Sequence, residues 1–353
     1  MAIIDLLPKK HYLGVDIGTT SIKAAEIIVE GPGQFRLVNY AIIEIYGYLE
    51  KFTQVFQTSS LKLSVDEASK FLTYLIKSMN PGTKKVIASL PTFSAFTTLI
   101  ELPVLNEKEI QQAVATQGRK YIPIPIATAT LDWESVGEKT SERGEILQQV
   151  FLIAIPNEVI EEHKKVFKNS NLQLTTLELE NVSLARLLTY DINDNVLIVD
   201  IGTRTTNLCV AKAGVLKFID QTDFAGASLT QAIGSALGIN SQRAEILKLQ
   251  RGLSPDFGLD ILTIMKPILD VILNEAQRAM NNFELNYNEK VSGIILTGGG
   301  SNLKGLTEYF KSFFNIPVRR AFPMEKILYP KELEPIKDEL GLKLAVAIGL
   351  GIR

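Results

Sequence analysis

The stretch Leu13–Ile27, LGVDIGTTSIKAAEI, is written almost again at Leu197–Ala211 as LIVDIGTRTTNLCVA. In each copy a hydrophobic strand delivers an aspartate, Asp16 or Asp200, and a glycine two residues on, Gly18 or Gly202, turns the chain into a second strand. Hydroxyls follow, Thr19 and Thr20 in the first copy and Thr203 in the second. Backbone N–H groups in such a bend point inward as an anion nest, whereas a carboxylate cannot face a phosphate without a cation between them. The pairing therefore predicts Mg²⁺: Asp16 and Asp200, one from each copy, holding a hydrated ion against a polyphosphate. Lys23, on the strand leaving the first bend, is either a point charge for that polyphosphate or a solvated strand residue.

A chain of 353 residues is too long for one ordinary core and has room for two domains, each headed by one copy of the element. Apolar residues make up 46% and charged residues 22%, so packed cores are expected and disorder is not. The net charge of −2, with both signs interspersed, gives no electrostatic reason to expect a nucleic acid or an anionic membrane as a partner. The single cysteine, Cys209, lies in an apolar alternating run and reads as a buried structural thiol, in keeping with a reducing cytoplasm. With only His11 and His163, zinc sites and histidine triads have almost no raw material. The apolar run Leu344–Ile352, LAVAIGLGI, is far short of the ~20 residues that span a bilayer and reads as a buried helix. The start, MAIIDLLPKK, does not read as a signal peptide.

Along the chain, the first bend opens a strand meander. A helix follows, with Ser64 as N-cap and Glu67 as its capping-box partner. From Lys84 to about Leu174 the texture changes to a β-rich module with two helices, the proline-studded YIPIPI and a polar hairpin tip GEKTSERGE. The second half repeats the plan from NVLIVDIG, with helices expected from Ser228, Ser241 and about Ser254, and a further helix from Asn302. The expected division is 1–82 with 175–195 as the first domain, 83–174 as an inserted module for partner binding, and 196–353 as the second domain. A helical insertion is expected at about 236–290, with the C-terminal helix 340–353 packing back toward the first domain.

A third motif, ILTGGGSNLKGL, ends a strand in Gly298-Gly299-Gly300, where flat backbone can approach a nucleoside or phosphate closely. Its spacing excludes a P-loop, because Leu306 stands where the lysine is required, and a dinucleotide fold carries its glycines after the first strand.

With these three motifs in place, the chain resembles the actin-like ATPase superfamily, whose phosphate-1, phosphate-2 and adenosine motifs look like DIGTTSIK, DIGTRTTN and LTGGGSNLKGL. Within it the resemblance is to the type IV pilus assembly protein PilM family and its cell-division relative FtsA. The most discriminating run is ELPVLNEKEIQQAVATQGRKYIPIPIATATLDWESV in the inserted module. The resemblance implies an α/β chain: a duplicated actin-like (ribonuclease H-like) two-domain fold with a nucleotide cleft and an inserted small α+β module in the first domain. It implies ATP and Mg²⁺ as ligands, with Asp16, Gly18, Thr19, Thr20 and Lys23 on one side of the phosphates, Asp200, Gly202 and Thr203 on the other, and Gly298, Gly299 and Ser301 under the adenosine. Glu245 and Lys248 fall where family members contact ribose or base, or else form an ordinary exposed i, i+3 charge pair. Arg204 stands where superfamily ATPases often carry a second glycine, which puts efficient hydrolysis in doubt. Glu180 is the nearby candidate to orient a water, or merely a helix cap.

The same resemblance implies a cytoplasmic protein, peripheral to the inner membrane through a PilN-like protein whose N-terminal tail it binds, alongside other pilus platform proteins and with self-association open. The leader Ile3–Lys10, IIDLLPKK, resembles that tail, so it is either a competitor for the partner groove or a loosely tethered leader. The function expected is an ATP-binding scaffold of a type IV pilus or related type II secretion platform, with slow or no hydrolysis. The alternatives are a small-molecule kinase of the same superfold and an FtsA-like filament protein. The apolar module disfavours the first. The second usually ends in a linker and an amphipathic membrane helix, whereas this sequence stops at Arg353.

Overall fold

The computed structural model describes residues 10–31, 33–45, 63–117, 120–141, 143–253 and 261–352. Most of the leader and the Ser254 helix start lie outside the described residues. The first bend joins β1 (Lys10–Ile17) to β2 (Ser21–Gly31), and β3 (Gln34–Glu44) completes an antiparallel meander. Helix α1 (Val65–Met79) starts on Ser64, whose side chain accepts the Glu67 N–H while Glu67 reaches back to the Ser64 N–H, the capping box legible in the sequence. Strand β4 (Lys85–Leu90) then pairs parallel with β1.

Between β4 and its parallel neighbour β8 (Gln173–Leu179) sits the inserted module. It comprises β5 (Phe96–Pro103), α2 (Glu107–Gln117), β6 (Ala129–Thr140) and β7 (Ile146–Pro156), the strands forming a separate sheet in the order β5-β7-β6. Helix α3 (Asn157–Asn169) leads back to the first sheet, and α4 (Glu180–Thr189) leaves it.

The second bend joins β9 (Val196–Ile201) to β10 (Thr206–Lys212), followed by β11 (Val215–Thr222). Helices α5 (Gly226–Leu237), α6 (Ser241–Arg251) and α7 (Ile261–Tyr287) come next, then β12 (Gly293–Thr297), α8 (Leu306–Phe313), β13 (Val318–Arg320) and α9 (Lys337–Gly351). The strand orders of the two large sheets, β3-β2-β1-β4-β8 and β11-β10-β9-β12-β13, are the same, so the duplicated sequence is a duplicated topology.

Two helix starts differ from the sequence reading. Helix α5 begins at Gly226 rather than Ser228, because the Ser228 hydroxyl lies one turn in and accepts the Ala225 N–H from there. The helix expected from Asn302 begins at Leu306, because Gly299–Asn302 forms a tight 3-10 turn and Gly305, at φ 82°, reverses the chain before it.

Helix α9 follows the second sheet in sequence yet packs on β1, β2 and α4 of the first half. Its residues from Leu340 to Gly351 are almost all buried, which explains an apolar run with no polar face. Among the described residues no helix is long and apolar enough to cross a membrane.

Candidate functional site: two facing acidic bends

The bends are built alike. The Gly18 N–H donates to the Ser21 carbonyl at 2.9 Å, and the Gly202 N–H donates to the Thr205 carbonyl at 3.0 Å. Strand register sets Lys23 opposite Asp16 and Asn207 opposite Asp200, so the two residues occupy equivalent places in the two copies. Lys23 Nζ donates to Asp16 Oδ2 at 3.1 Å, and Asn207 Nδ2 lies 3.5 Å from Asp200 Oδ2. The bends also meet, with the Thr20 and Thr203 hydroxyls 2.9 Å apart. The second bend is braced from behind, since the Gly226 and Ala227 N–H groups at the start of α5 donate to the Gly202 and Thr203 carbonyls.

Ser89, at the end of β4, donates to Asp16 Oδ1 at 2.8 Å. Glu180 is the first residue of α4, and its Oε1 accepts from the Thr92 N–H at 3.0 Å, the Thr92 hydroxyl at 3.2 Å and Asn207 Nδ2 at 2.9 Å. It is therefore a tie between the two halves and not a simple cap. Gly298 follows β12, whose Thr297 is in register with Asp200. Its φ is 80°, and a Cβ there would collide with Asp200 Oδ1 and the Ile201 carbonyl, so only glycine fits.

Asp16, Gly18, Thr19, Thr20, Lys23, Glu180, Asp200, Gly202, Thr203, Gly298 and Gly299 line one cavity of about 170 Å³. Ser301, Glu245 and Lys248 are not among its walls. Ser301 is buried and donates to the Gly298 carbonyl at 2.6 Å, which fixes the glycine turn. Lys248 is no exposed surface charge: it is buried, donates to the Gly226 carbonyl at 2.9 Å and the Thr230 hydroxyl at 2.8 Å, and pairs with Glu245 at 2.7 Å. It fastens α6 to the start of α5. Sequence reasoning missed Ser89, Thr92 and Asn207, of which Asn207 was findable by aligning the two copies.

The carboxylates of Asp16, Glu180 and Asp200 share this space with the half-buried ammonium of Lys23. Burial alone would lower the Lys23 pKa, but the charges of Asp16, Asp200 and Glu180 and the bond to Asp16 outweigh it and raise it. Glu180 is pushed up to about 7 by burial, then by Asp200 and Asp16. Asp200 is pushed up to about 6, chiefly by burial, with Lys23 and Asn207 opposing. The same burial pushes the Cys209 thiol up, which leaves it inert.

A carboxyl whose pKa is higher folded than unfolded favours the folded state below its unfolded value and loses that contribution as pH rises through the folded one. For Glu180 and Asp200 that window runs from about pH 4 to about pH 7. The ligand-free protein is therefore expected to melt at a lower temperature at pH 8 than at pH 5, with a shallower slope in Glu180→Gln. Thermal denaturation across this range checks it, and equal slopes in the two proteins would contradict it.

The donor set suits magnesium. It is oxygen-only, it carries excess negative charge, and the buried Asn207 Oδ1 acceptor on the cavity wall has no partner among the described residues. Among the described residues no three His, Cys, Asp or Glu side chains are grouped to ligate a metal, so an ion here would keep most of its waters.

The family model for type IV pilus assembly protein PilM matches residues 14–353. The chain belongs to the PilM family. Among solved structures, the fold is similar to one described as a PilM–PilN type IV pilus biogenesis complex, with a TM-score of 0.80 and 20% identity over 98% of this chain and 100% of that one. The ethanolamine utilization protein EutJ from Carboxydothermus hydrogenoformans is more distant, with a TM-score of 0.54 and 16% identity over 98% of this chain and 92% of that one. The cell division protein FtsA of Enterococcus hirae is 21% identical, covering 88% of this chain and 78% of that protein. The fold is the actin-like one. At these identities the structural likenesses establish architecture, and the family rests on the model that spans nearly the whole PilM-like chain.

Proposed function

We propose that this PilM-family chain is a cytoplasmic, nucleotide-controlled scaffold of a type IV pilus or related secretion platform, peripheral to the inner membrane through a protein partner. The observation that carries the proposal is the meeting of the two acidic bends, at Thr20 and Thr203, over one cavity that holds Asp16, Asp200, Glu180 and Lys23. In this reading Gly18, Thr19, Thr20 and Lys23 hold a triphosphate from one side, and Gly202 and Thr203 from the other. Gly298 and Gly299 lie under the adenosine, Ser301 fixes that turn, and Lys248 with Glu245 stiffens the helix pair beside it. Asp16 and Asp200 hold a hydrated Mg²⁺, which when bound neutralises the carboxylates and the phosphates together. Glu180, a carboxyl raised to about 7, is the group proposed to orient a water in slow hydrolysis.

A cavity of about 170 Å³ is below the ~300 Å³ at which ligand pockets commonly begin, so the halves must part to admit a nucleotide. Such a ligand shifts the open–closed balance only by its differential affinity for the two states. Family membership and the likeness to the PilM–PilN complex support a PilN-like N-terminal tail as the partner, held beside the inserted module. The tail peptide is expected to bind with affinities differing by at least about fivefold with and without Mg·ATP. Fluorescence anisotropy measures this. Equal affinities would remove nucleotide control, and no binding in either state would remove the partner.

A further inference from the structure

Arg204 occupies, in the second bend, the place that Thr20 holds in the first. Its guanidinium crosses to the other half of the molecule and lies 4.6 Å from the ring centroid of Phe93, in the short turn Thr92–Ser94 that follows β4. That turn is anchored, because Thr92 donates twice to Glu180. Of the described residues lining the cavity only Lys23 and Arg204 carry permanent positive charge, and Lys23 is bound to Asp16.

Two donors, one from each half of the molecule, have no partner among the described residues. Arg204 Nη1 is buried and unpaired, and so is the Ser94 hydroxyl, whose residue is 7% exposed. Burying a charged donor unpaired is costly, and a ring face satisfies charge but supplies no hydrogen-bond acceptor. Both donors line the cavity that holds the bends, so an anionic oxygen entering it would meet a guanidinium from one domain and a hydroxyl from the other.

We infer that Arg204 and Ser94 form a subsite for the terminal phosphate of a nucleoside triphosphate, with the guanidinium leaving Phe93 to take the phosphate oxygens. The inference rests on the nucleotide reading above and adds to it a means of telling triphosphate from diphosphate. A diphosphate leaves the Arg204–Phe93 contact in place, and a triphosphate exchanges it for charge-assisted bonds that reach across the cleft.

The test is calorimetric titration of ATP and ADP, each with magnesium, into the wild type and the variants Arg204→Ala, Arg204→Gln, Ser94→Ala and Phe93→Leu, with circular dichroism confirming folding. Both Arg204 variants are expected to weaken ATP binding by about tenfold or more and ADP binding by less than about threefold. Ser94→Ala is expected to weaken ATP binding by about fivefold. Phe93→Leu is expected to tighten it by about twofold, because the ring no longer competes for the guanidinium. An ATP-to-ADP ratio unchanged in both Arg204 variants, or Phe93→Leu weakening ATP as much as they do, overturns the subsite while leaving nucleotide binding intact. A wild type that binds neither nucleotide overturns the nucleotide reading and this inference with it.

Discussion

Asp200→Asn is expected to raise the melting temperature of the ligand-free protein near pH 8 while weakening Mg·ATP binding by more than about a hundredfold. The two effects have one cause. Burial pushes the Asp200 carboxyl up to about 6, so at pH 8 the folded chain carries a charge it would shed, and an amide of the same shape relieves a penalty on the order of 3 kcal/mol. The same charge is what the proposed ion and phosphates require. Asp16→Asn is expected to lose binding too, but with a fall in stability, because Asp16 holds Lys23 at 3.1 Å and Ser89 at 2.8 Å and its loss weakens the pairing of a half-buried ammonium. Calorimetric titration and thermal denaturation of both variants settle it. Wild-type affinity in either would mean that its carboxylate does not face the ligand.

Gly14→Ala is expected to destabilise the fold by about 3 kcal/mol, at the upper end of what overpacking costs. The cause is how closely α9 approaches the first sheet. A Cβ on Gly14 in β1 would collide with the Ala347 carbonyl of α9, and one on Gly349 or Gly351 would collide with Ser183 or Ile27. The helix cannot retreat easily, because the Gly349 carbonyl accepts from Arg186, which is itself paired with Glu178 at 2.7 Å. Gly31→Ala, where a Cβ would make only ordinary contact with Gln34, serves as the control and is expected to change stability little. Urea denaturation of the two variants checks this. Equal midpoints would show that α9 is not seated on β1 as described.

The duplicated bends could be read because each is local: strand, aspartate, glycine and second strand lie within a dozen or so consecutive residues, and repetition marked them out. The capping box at Ser64 was legible for the same reason, whereas the need for glycine at 298 was not, because the atoms that exclude a side chain there belong to Asp200 and Ile201. What the sequence hid is non-local. Ser89 reaches Asp16, Thr92 reaches Glu180 and Phe93 reaches Arg204 across long chain separations, and nothing in the residues around Pro91 marks that turn as a wall of the site. Lys248 was open to two sequence readings, a nucleotide contact or an exposed pair, because its partners Gly226 and Thr230 lie on another helix. The partner expectation rested on family resemblance alone, since the proline-studded run YIPIPI names no ligand by its own chemistry.

The duplication explains why one chain carries the same bend twice. Under the proposed function, two bends that meet over one cavity would bring Asp16 and Asp200 to one ion and make closure depend on the ligand. Linkage to a protein partner then follows if closure moves the inserted module, which joins the first sheet through β4 and β8.

The central claim is that both bends hold one nucleotide. The most direct measurement is a crystal structure grown with magnesium and a non-hydrolysable ATP analogue. A single nucleotide is expected between the bends, its phosphates within hydrogen-bond reach of backbone N–H groups on both and its ion between Asp16 and Asp200. A nucleotide held by one bend alone, or a cleft still closed by Thr20 on Thr203 at saturating ligand, would contradict it.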